Sequence, residues 1–195
     1  MDYFELLRHR RSNRRFTREQ ISDEELSSLL LAANAAPVGS AMYGDIHLTV
    51  VQNRGILQEL SLAAMQRSRD KAELDKIRGK LRAAGEQSVF DPFYGAPTVI
   101  FVSHRRQKLQ PGIEFSNVAC VTYSMHLAAS ELGLCSVFSW YALESMRMLP
   151  ELDRSSLLQL PEDFEALLGL SVGQFVYPPR EREIGLEKIS VNYIR

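Results

Sequence analysis

Helical and strand periodicities alternate along the chain. After Ser22 and Glu25, spaced as a capping box, Leu26, Leu29, Leu30 and Ala33 recur at three- and four-residue intervals. They predict a helix that stops before Pro37. A shorter helix is predicted over DYFELLRHR, where Asp2 and Glu5 form the same kind of box. IHLTVV, from Ile46 to Val51, is short and β-branched and predicts a strand. GAPTVIFVS predicts a second, from Thr98 to Ser103, and its nearly unbroken apolar run places it centrally in a sheet. From about Glu114 to Leu132 the chain is apolar nearly all round, which marks a buried helix with Gly133 suited to its C′ position. LCSVFSW predicts a third strand, ALESMRMLPEL a short helix and EALLGLSVGQF a fourth strand. ISVNYI, from Ile189 to Ile194, is β-prone but has no sequence-adjacent partner.

One stretch departs from this pattern. From Leu57 to about Gly85 the periodicity is helical, yet charge dominates and the apolar stripe is thin. It predicts an exposed excursion over about 65–87. Helices and strands otherwise interleave, giving an α/β or α+β class with a mixed sheet. The 195 residues, 45% of them hydrophobic, suffice for one domain over 1–195 with a tail at about 187–195. No apolar run approaches the roughly 20 residues that span a bilayer. The N-terminus has no apolar segment of the secretory kind, so a cytoplasmic location and no membrane partner are expected. Cys120 and Cys135 sit in apolar segments and read as small buried hydrophobes in a reducing compartment. His9, His47, His104 and His126 lack metal-ligand spacing, so no metal site is expected.

Against a net charge of only −1, five arginines fall within eight residues: Arg8, Arg10, Arg11, Arg14 and Arg15. They begin at a predicted helix C-terminus, where a cation is worth about 0.3–1 kcal/mol against the helix dipole. That accounts for Arg8 and Arg10. Arg11, Ser12 and Arg14 lie in the turn beyond, where two guanidinium forks and a hydroxyl can converge on a phosphate. A solvated basic turn and an anion site both fit this pattern. Near the other end, PPRERE sets Arg180 and Arg182 two residues apart, on one side of an extended segment. GLSVG, Gly169 to Gly173, matches G-x-S-x-G, but no histidine follows His126 and strand character continues through QFVY, against a hydrolase. Neither a G-x-G-x-x-G turn nor a P-loop is present, so a phosphate would have to be held by side chains.

Taken in order, these segments resemble the FMN-dependent nitroreductase family. Its opening helix and R-R/H-S-x-R/K-x-F are matched by Arg10, Arg11, Ser12, Arg14 and Phe16. AAPVGS, Ala35 to Ser40, matches its A-A-P-S, and a strand follows in both. GAPTVIFV, LAASELGLCSVF and PPRER match the family's later motifs in register. The resemblance implies an α+β nitroreductase-like fold, with a mixed central sheet flanked by helices. It further implies a homodimer that exchanges C-terminal strands and holds FMN at the subunit interface. Arg10, Arg11, Ser12 and Arg14 would contact FMN, with Arg180 and Arg182 completing a phosphate cage. Pro37, Val38, Gly39 and Ser40 would border the flavin bound to the other subunit, and Ser139, Trp140 and Tyr141 would pass the ring near N5, offering backbone N–H groups. No protein nucleophile is implied, because the chemistry lies at N5.

The implied activity is ping-pong hydride transfer from NADH or NADPH to a small acceptor, such as a nitroaromatic or a quinone. Where family members carry N-x-Q-P-W, this chain has AMYGDIH. Loss of that asparagine, glutamine and tryptophan supports an alternative, an FMN carrier or sensor without turnover. The near-zero net charge weighs against a nucleic-acid partner.

Overall fold

The computed structural model describes residues 1–66, 91–108, 110–140, 143 and 154–195. Among these residues, β1 (Ile46–Val51), β2 (Thr98–Arg105), β3 (Cys135–Phe138) and β4 (Phe164–Gly173) form one sheet in the order β1-β2-β4-β3. Its neighbours are antiparallel throughout. A parallel pairing does occur on the open side of β3, as an isolated bridge between Ser12 and Ser136. The order explains the composition. β2 and β4 are the inner strands, and Val99, Ile100, Phe101, Val102, Leu170 and Val172 are inaccessible to solvent. β2 runs two residues past the expected Ser103, because His104 and Arg105 still pair with Glu165 and Phe164.

Helices α1 (Tyr3–His9), α2 (Asp23–Asn34), α3 (Arg54–Gln66) and α4 (Ile113–Glu131) accompany the sheet. Both expected capping boxes form. The Asp2 carboxylate accepts from Glu5 N–H and the Ser22 hydroxyl from Glu25 N–H, each glutamate reaching back to the cap. Such a cap is typically worth about 1 kcal/mol. α3 starts three residues earlier than its apolar pattern suggests, because Asn53 Oδ1 accepts from Gly55 and Ile56 N–H. Most of the charged 65–87 segment, and most of ALESMRMLPEL, lies outside the described residues.

α4 packs against α2 and across β2, β3 and β4. Its buried side is a helical stripe of Val118, Val121, Thr122, Met125 and Ala129, together with Asn117 and His126. The apolar character all round the helix is therefore not matched by burial all round. Phe115 and Tyr123 are exposed on the single chain. The tail behaves likewise. Ile189 to Ile194 forms no strand with its own sheet, and Ile189, Val191, Tyr193 and Ile194 are all exposed.

The turn after α1 is stitched along the ends of β3 and β4. Asn13 N–H donates to Ser136 O at 3.1 Å, and Thr17 N–H to Gln174 O at 3.1 Å. Cys135 Sγ reaches Arg15 O at 3.8 Å, and Phe16 bridges Phe175. Gly173 makes this approach possible. A Cβ there would lie 2.7 Å from Pro97 Cδ and 3.1 Å from Phe16 Cδ1. Because the proline ring cannot yield, Gly173→Ala should push Phe16 outward. The expected cost is about 1–3 kcal/mol, as for other overpacked sites. Chemical denaturation measures it, and unchanged stability would mean that the contact is looser than described.

Candidate functional site

The C-terminus of α1 delivers the arginines. α1 ends at His9, and Arg10 turns the chain out of the helix while its N–H still donates to Leu6 O. Arg182 comes back from the other end of the sequence to meet it. Its Nε and Nη2 both donate to Leu7 O at 3.3 Å, and its backbone N–H donates to Arg8 O. Arg182 thus satisfies carbonyls that the helix end leaves without partners. Arg11 Nη1 donates to Arg180 O at 3.2 Å, tying the two arginine segments together. Arg10, Arg11, Arg180 and Arg182 are therefore gathered in one place. Arg14 is exposed and lies over the Tyr94 ring, 5.8 Å from its centroid.

None of Arg10, Arg11, Arg14, Arg180 or Arg182 makes an ion pair with a described carboxylate. Glu181, between the last two, pairs with His9 instead, at 3.0 Å. Arg11, Arg14 and Arg180 are exposed, Arg182 is half-buried, and so is Arg10. Burial and the neighbouring Arg182 and Arg11 lower its pKa, against an opposing contribution from Tyr123. Its Nε is buried with no acceptor among the described residues. Leaving such a donor unmet costs roughly 1–3 kcal/mol, and more when the group is charged.

The acceptor that Arg10 does have is His126, whose Nε2 lies 3.1 Å from Arg10 Nη1. A guanidinium can only donate, so this nitrogen presents its lone pair. The proton then sits on Nδ1, which donates to Ser136 Oγ. Burial, with Arg10 and then Arg182 adding repulsion, pulls the His126 pKa down to about 4, so the ring is neutral at pH 7.

Gly39 N–H donates to Asn117 Oδ1 at 2.8 Å, fixing the loop of Pro37, Val38, Gly39 and Ser40 to α4. Asn117 Nδ2 in turn donates to His104 Nε2 at 3.1 Å, and His104 Nδ1 to Arg105 O at 2.7 Å. The loop runs close against α4 here, since a Cβ on Gly39 would lie 2.9 Å from Ile113 Cδ1. Val38 packs on the core, while Pro37, Gly39 and Ser40 are exposed, and Ser40 is left-handed at φ 55°. This loop does not join the arginines. Asn117 and His126 are nine residues apart on α4, about 13 Å along its axis. The loop and the cluster thus sit toward opposite ends of one helix.

The stretch after β3 differs from expectation. Ser139 N–H is committed to Gly169 O at 2.7 Å, and its hydroxyl meets Ser171 Oγ at 2.6 Å in the interior. A buried residue with both groups occupied offers nothing outward, so any backbone contribution falls to Trp140, which is 48% exposed. Tyr141 lies outside the described residues. Gly169 to Gly173 are all within β4, with Ser171 inaccessible, which leaves no strand-to-helix elbow for a nucleophile. Among the described residues no cluster of His, Cys, Asp or Glu is placed to hold a metal ion, and no helix is long and apolar enough to cross a membrane.

Sequence reasoning missed His126 and Asn117. The available signal was a polar residue at a buried position of α4, which asks for a hydrogen-bond partner. Taken together, the cluster fits a phosphate monoester: several donor-only groups, no neutralising acid and a buried N–H awaiting an acceptor.

The description of the Nitroreductase family matches residues 7–174, from within α1 to the end of β4. Among solved structures, the chain is similar to a nitroreductase with bound FMN from Bacteroides fragilis. The two are 28% identical with a TM-score of 0.76, covering 97% of this chain and 98% of that one. An FMN-dependent nitroreductase from Clostridium difficile is 26% identical, with a TM-score of 0.72 and coverage of 96% and 98%. A nitroreductase with bound FMN from Desulfitobacterium hafniense has a TM-score of 0.80 and coverage of 97% of each chain, its 23% identity speaking for the fold alone. No protein of curated function matches in sequence. With its profile spanning most of the chain, on a fold that these structures share, the protein belongs to the nitroreductase family.

Proposed function

We propose that the protein is an FMN-dependent oxidoreductase. It would pass a hydride from NADH or NADPH to a small electron acceptor, such as a nitroaromatic or a quinone. The observation that carries this reading is an arginine cluster that, among the described residues, has no carboxylate partner, with Arg10 Nε buried and unmet. When bound, FMN supplies reversible hydride acceptance at N5, in alternating half-reactions with reductant and acceptor. Arg10, Arg11, Arg180 and Arg182 hold the phosphate. Each guanidinium gains about 4 kcal/mol against a unit negative charge at 4 Å for an effective dielectric of 20, before desolvation. Ser12 and Arg14 extend the contact along the cofactor, and a cation near the pyrimidine edge favours the electron-rich ring. In this reading Trp140, exposed just after β3, would offer its backbone N–H to the ring.

The second subunit completes the site in this reading. Pro37 to Ser40, held by Asn117 away from the arginines of its own chain, faces the flavin of the partner. The apolar residues left exposed on α4 and along the tail are covered in the same homodimer. The absence of the N-x-Q-P-W residues favours a second reading, a carrier or sensor that binds FMN without turnover. Anaerobic addition of NADH or NADPH to the yellow protein distinguishes the two. Bleaching identifies an enzyme, and an unchanged spectrum with either reductant leaves the carrier. A colourless preparation that fails to take up added FMN rejects both.

Two further outcomes are expected. Arg11 and Arg14 are exposed and, apart from the bond of Arg11 to the Arg180 carbonyl, serve the ligand rather than the fold. The double change Arg11→Ala, Arg14→Ala should therefore lower FMN affinity about tenfold or more, given about 1.5–3 kcal/mol per charged hydrogen bond. Stability of the apo-protein should shift by less than about 0.5 kcal/mol, as for ordinary surface sites. Flavin fluorescence titration and denaturation read the two effects, and undiminished affinity would remove these residues from the site. Truncation before Glu187 should convert the dimer toward monomer and weaken flavin retention in parallel. Light scattering with absorbance at the flavin band is the check, and a truncated chain that stays dimeric and yellow would refute strand exchange.

A further inference from the structure

We propose that His126 is a positioning residue for the anion site: a neutral imidazole that aims the Arg10 guanidinium without cancelling its charge. The identity of the anion rests on the flavin reading above, whereas the positioning role rests on the geometry alone. A flexible arginine loses up to about 2 kcal/mol of rotamer freedom when ordered, so a cage that includes one gains by ordering it beforehand. Carboxylates are the common anchors for guanidinium groups, but one here would leave a pair with no net charge to offer a phosphate. The cluster avoids this throughout. Arg11 and Arg182 are anchored on the backbone carbonyls of Arg180 and Leu7, and Arg10 on the lone pair of an imidazole.

The ring is itself fixed from both sides. His126 Nδ1–H donates to Ser136 Oγ, while the Ser136 carbonyl accepts from Asn13 N–H in the arginine turn. The connection therefore runs from the turn through β3 and α4 and back to Arg10. Among the described residues, the groups that face the ring fit a neutral state. Arg10 approaches from the turn and Arg182 from the C-terminal segment, both cationic. Ser136 and the Phe138 ring approach from β3, the latter with its centroid 5.5 Å away. A protonated imidazole would turn Arg10's acceptor into a further donor and a further positive charge.

The experiment uses the full chain freed of flavin, as wild type, His126→Gln and His126→Leu. Its probes are FMN, riboflavin and inorganic phosphate. The glutamine carboxamide oxygen can accept from Arg10 where Nε2 does, and leucine cannot. The expected result is FMN affinity within about threefold of wild type for His126→Gln, and about tenfold or more weaker for His126→Leu, the range of one charged hydrogen bond. Riboflavin, which has no phosphate, should bind all three alike. Equal FMN affinity in the leucine variant overturns the proposal. So does an equal loss of riboflavin affinity, which would indicate packing damage, or a glutamine variant as weak as leucine. Nitrogen NMR of the wild-type apo-protein is the check that requires no variant to fold: a proton on Nδ1 at pH 7 is expected, and one on Nε2 overturns the proposal. If wild type binds no flavin, the functional reading falls, and inorganic phosphate decides the present one. Phosphate bound by wild type and the glutamine variant, but tenfold more weakly by leucine, upholds it. No phosphate binding, or equal binding by all three, rejects it.

Discussion

Repulsion among guanidinium groups governs how the two ends of this chain meet. Several like charges gathered at one helix end destabilise the fold unless something holds them, and acids would defeat their use. The protein instead employs the negative end of the α1 dipole and backbone carbonyls. Leu7 and Arg180 supply the oxygens, and Arg182 caps α1 while joining the cluster. These anchors carry partial charge only, so the net positive field survives. What remains is an excess of donors over acceptors among the described residues, expressed most directly in the buried Nε of Arg10. The stitching of residues 13 to 17 along β3 and β4 serves the same end, because a loosely held turn would let the arginines splay apart.

α4 is the second organising element. Its buried stripe fixes it on the sheet, and two polar residues of that stripe reach out to different segments. Asn117 holds the glycine loop through a buried chain that continues to His104 and Arg105 O. His126 holds Arg10. Both buried histidines carry their proton on Nδ1 and accept at Nε2, because each has a carbonyl or hydroxyl on one side and a donor on the other. A rigid helix between them keeps loop and arginines at a set distance, so their relative placement derives from helical rise rather than from loop conformation.

What was legible in the sequence follows from how local its cause is. Capping boxes, the end of α2 before Pro37 and the apolar run of β2 are set by residues within a few positions of each other, and all three formed. The arginine cluster was visible as charge density, and its partner segment only through resemblance, since Arg11 and Arg180 are far apart in sequence. His126 and Asn117 were not legible, because their meaning lies in groups that tertiary packing brings to them. Ser139 was assigned an outward backbone role, but its N–H pairs with Gly169 on the neighbouring strand. The apolar face of α4 was read as buried, yet Phe115 and Tyr123 lie open, since hydrophobicity alone does not say which surface does the covering.

The strand order has a consequence for how the chain tolerates changes of length. β2 and β4, the inner pair, enclose α4 and β3 between them in sequence, so an insertion there would stretch the segment that carries Asn117, His126 and Ser136. β1 is an edge strand, and the connection from it to β2 carries none of these residues. Closing a flexible loop costs only about 0.6 kcal/mol more for each doubling of its length. Growth in this connection outside α3 and the 91–97 stretch, where Tyr94 meets Arg14 and Pro97 meets Gly173, therefore leaves the arginine cluster in place at little cost in stability. That connection is where this architecture can acquire new surface over evolutionary time while the arginine cluster stays as it is.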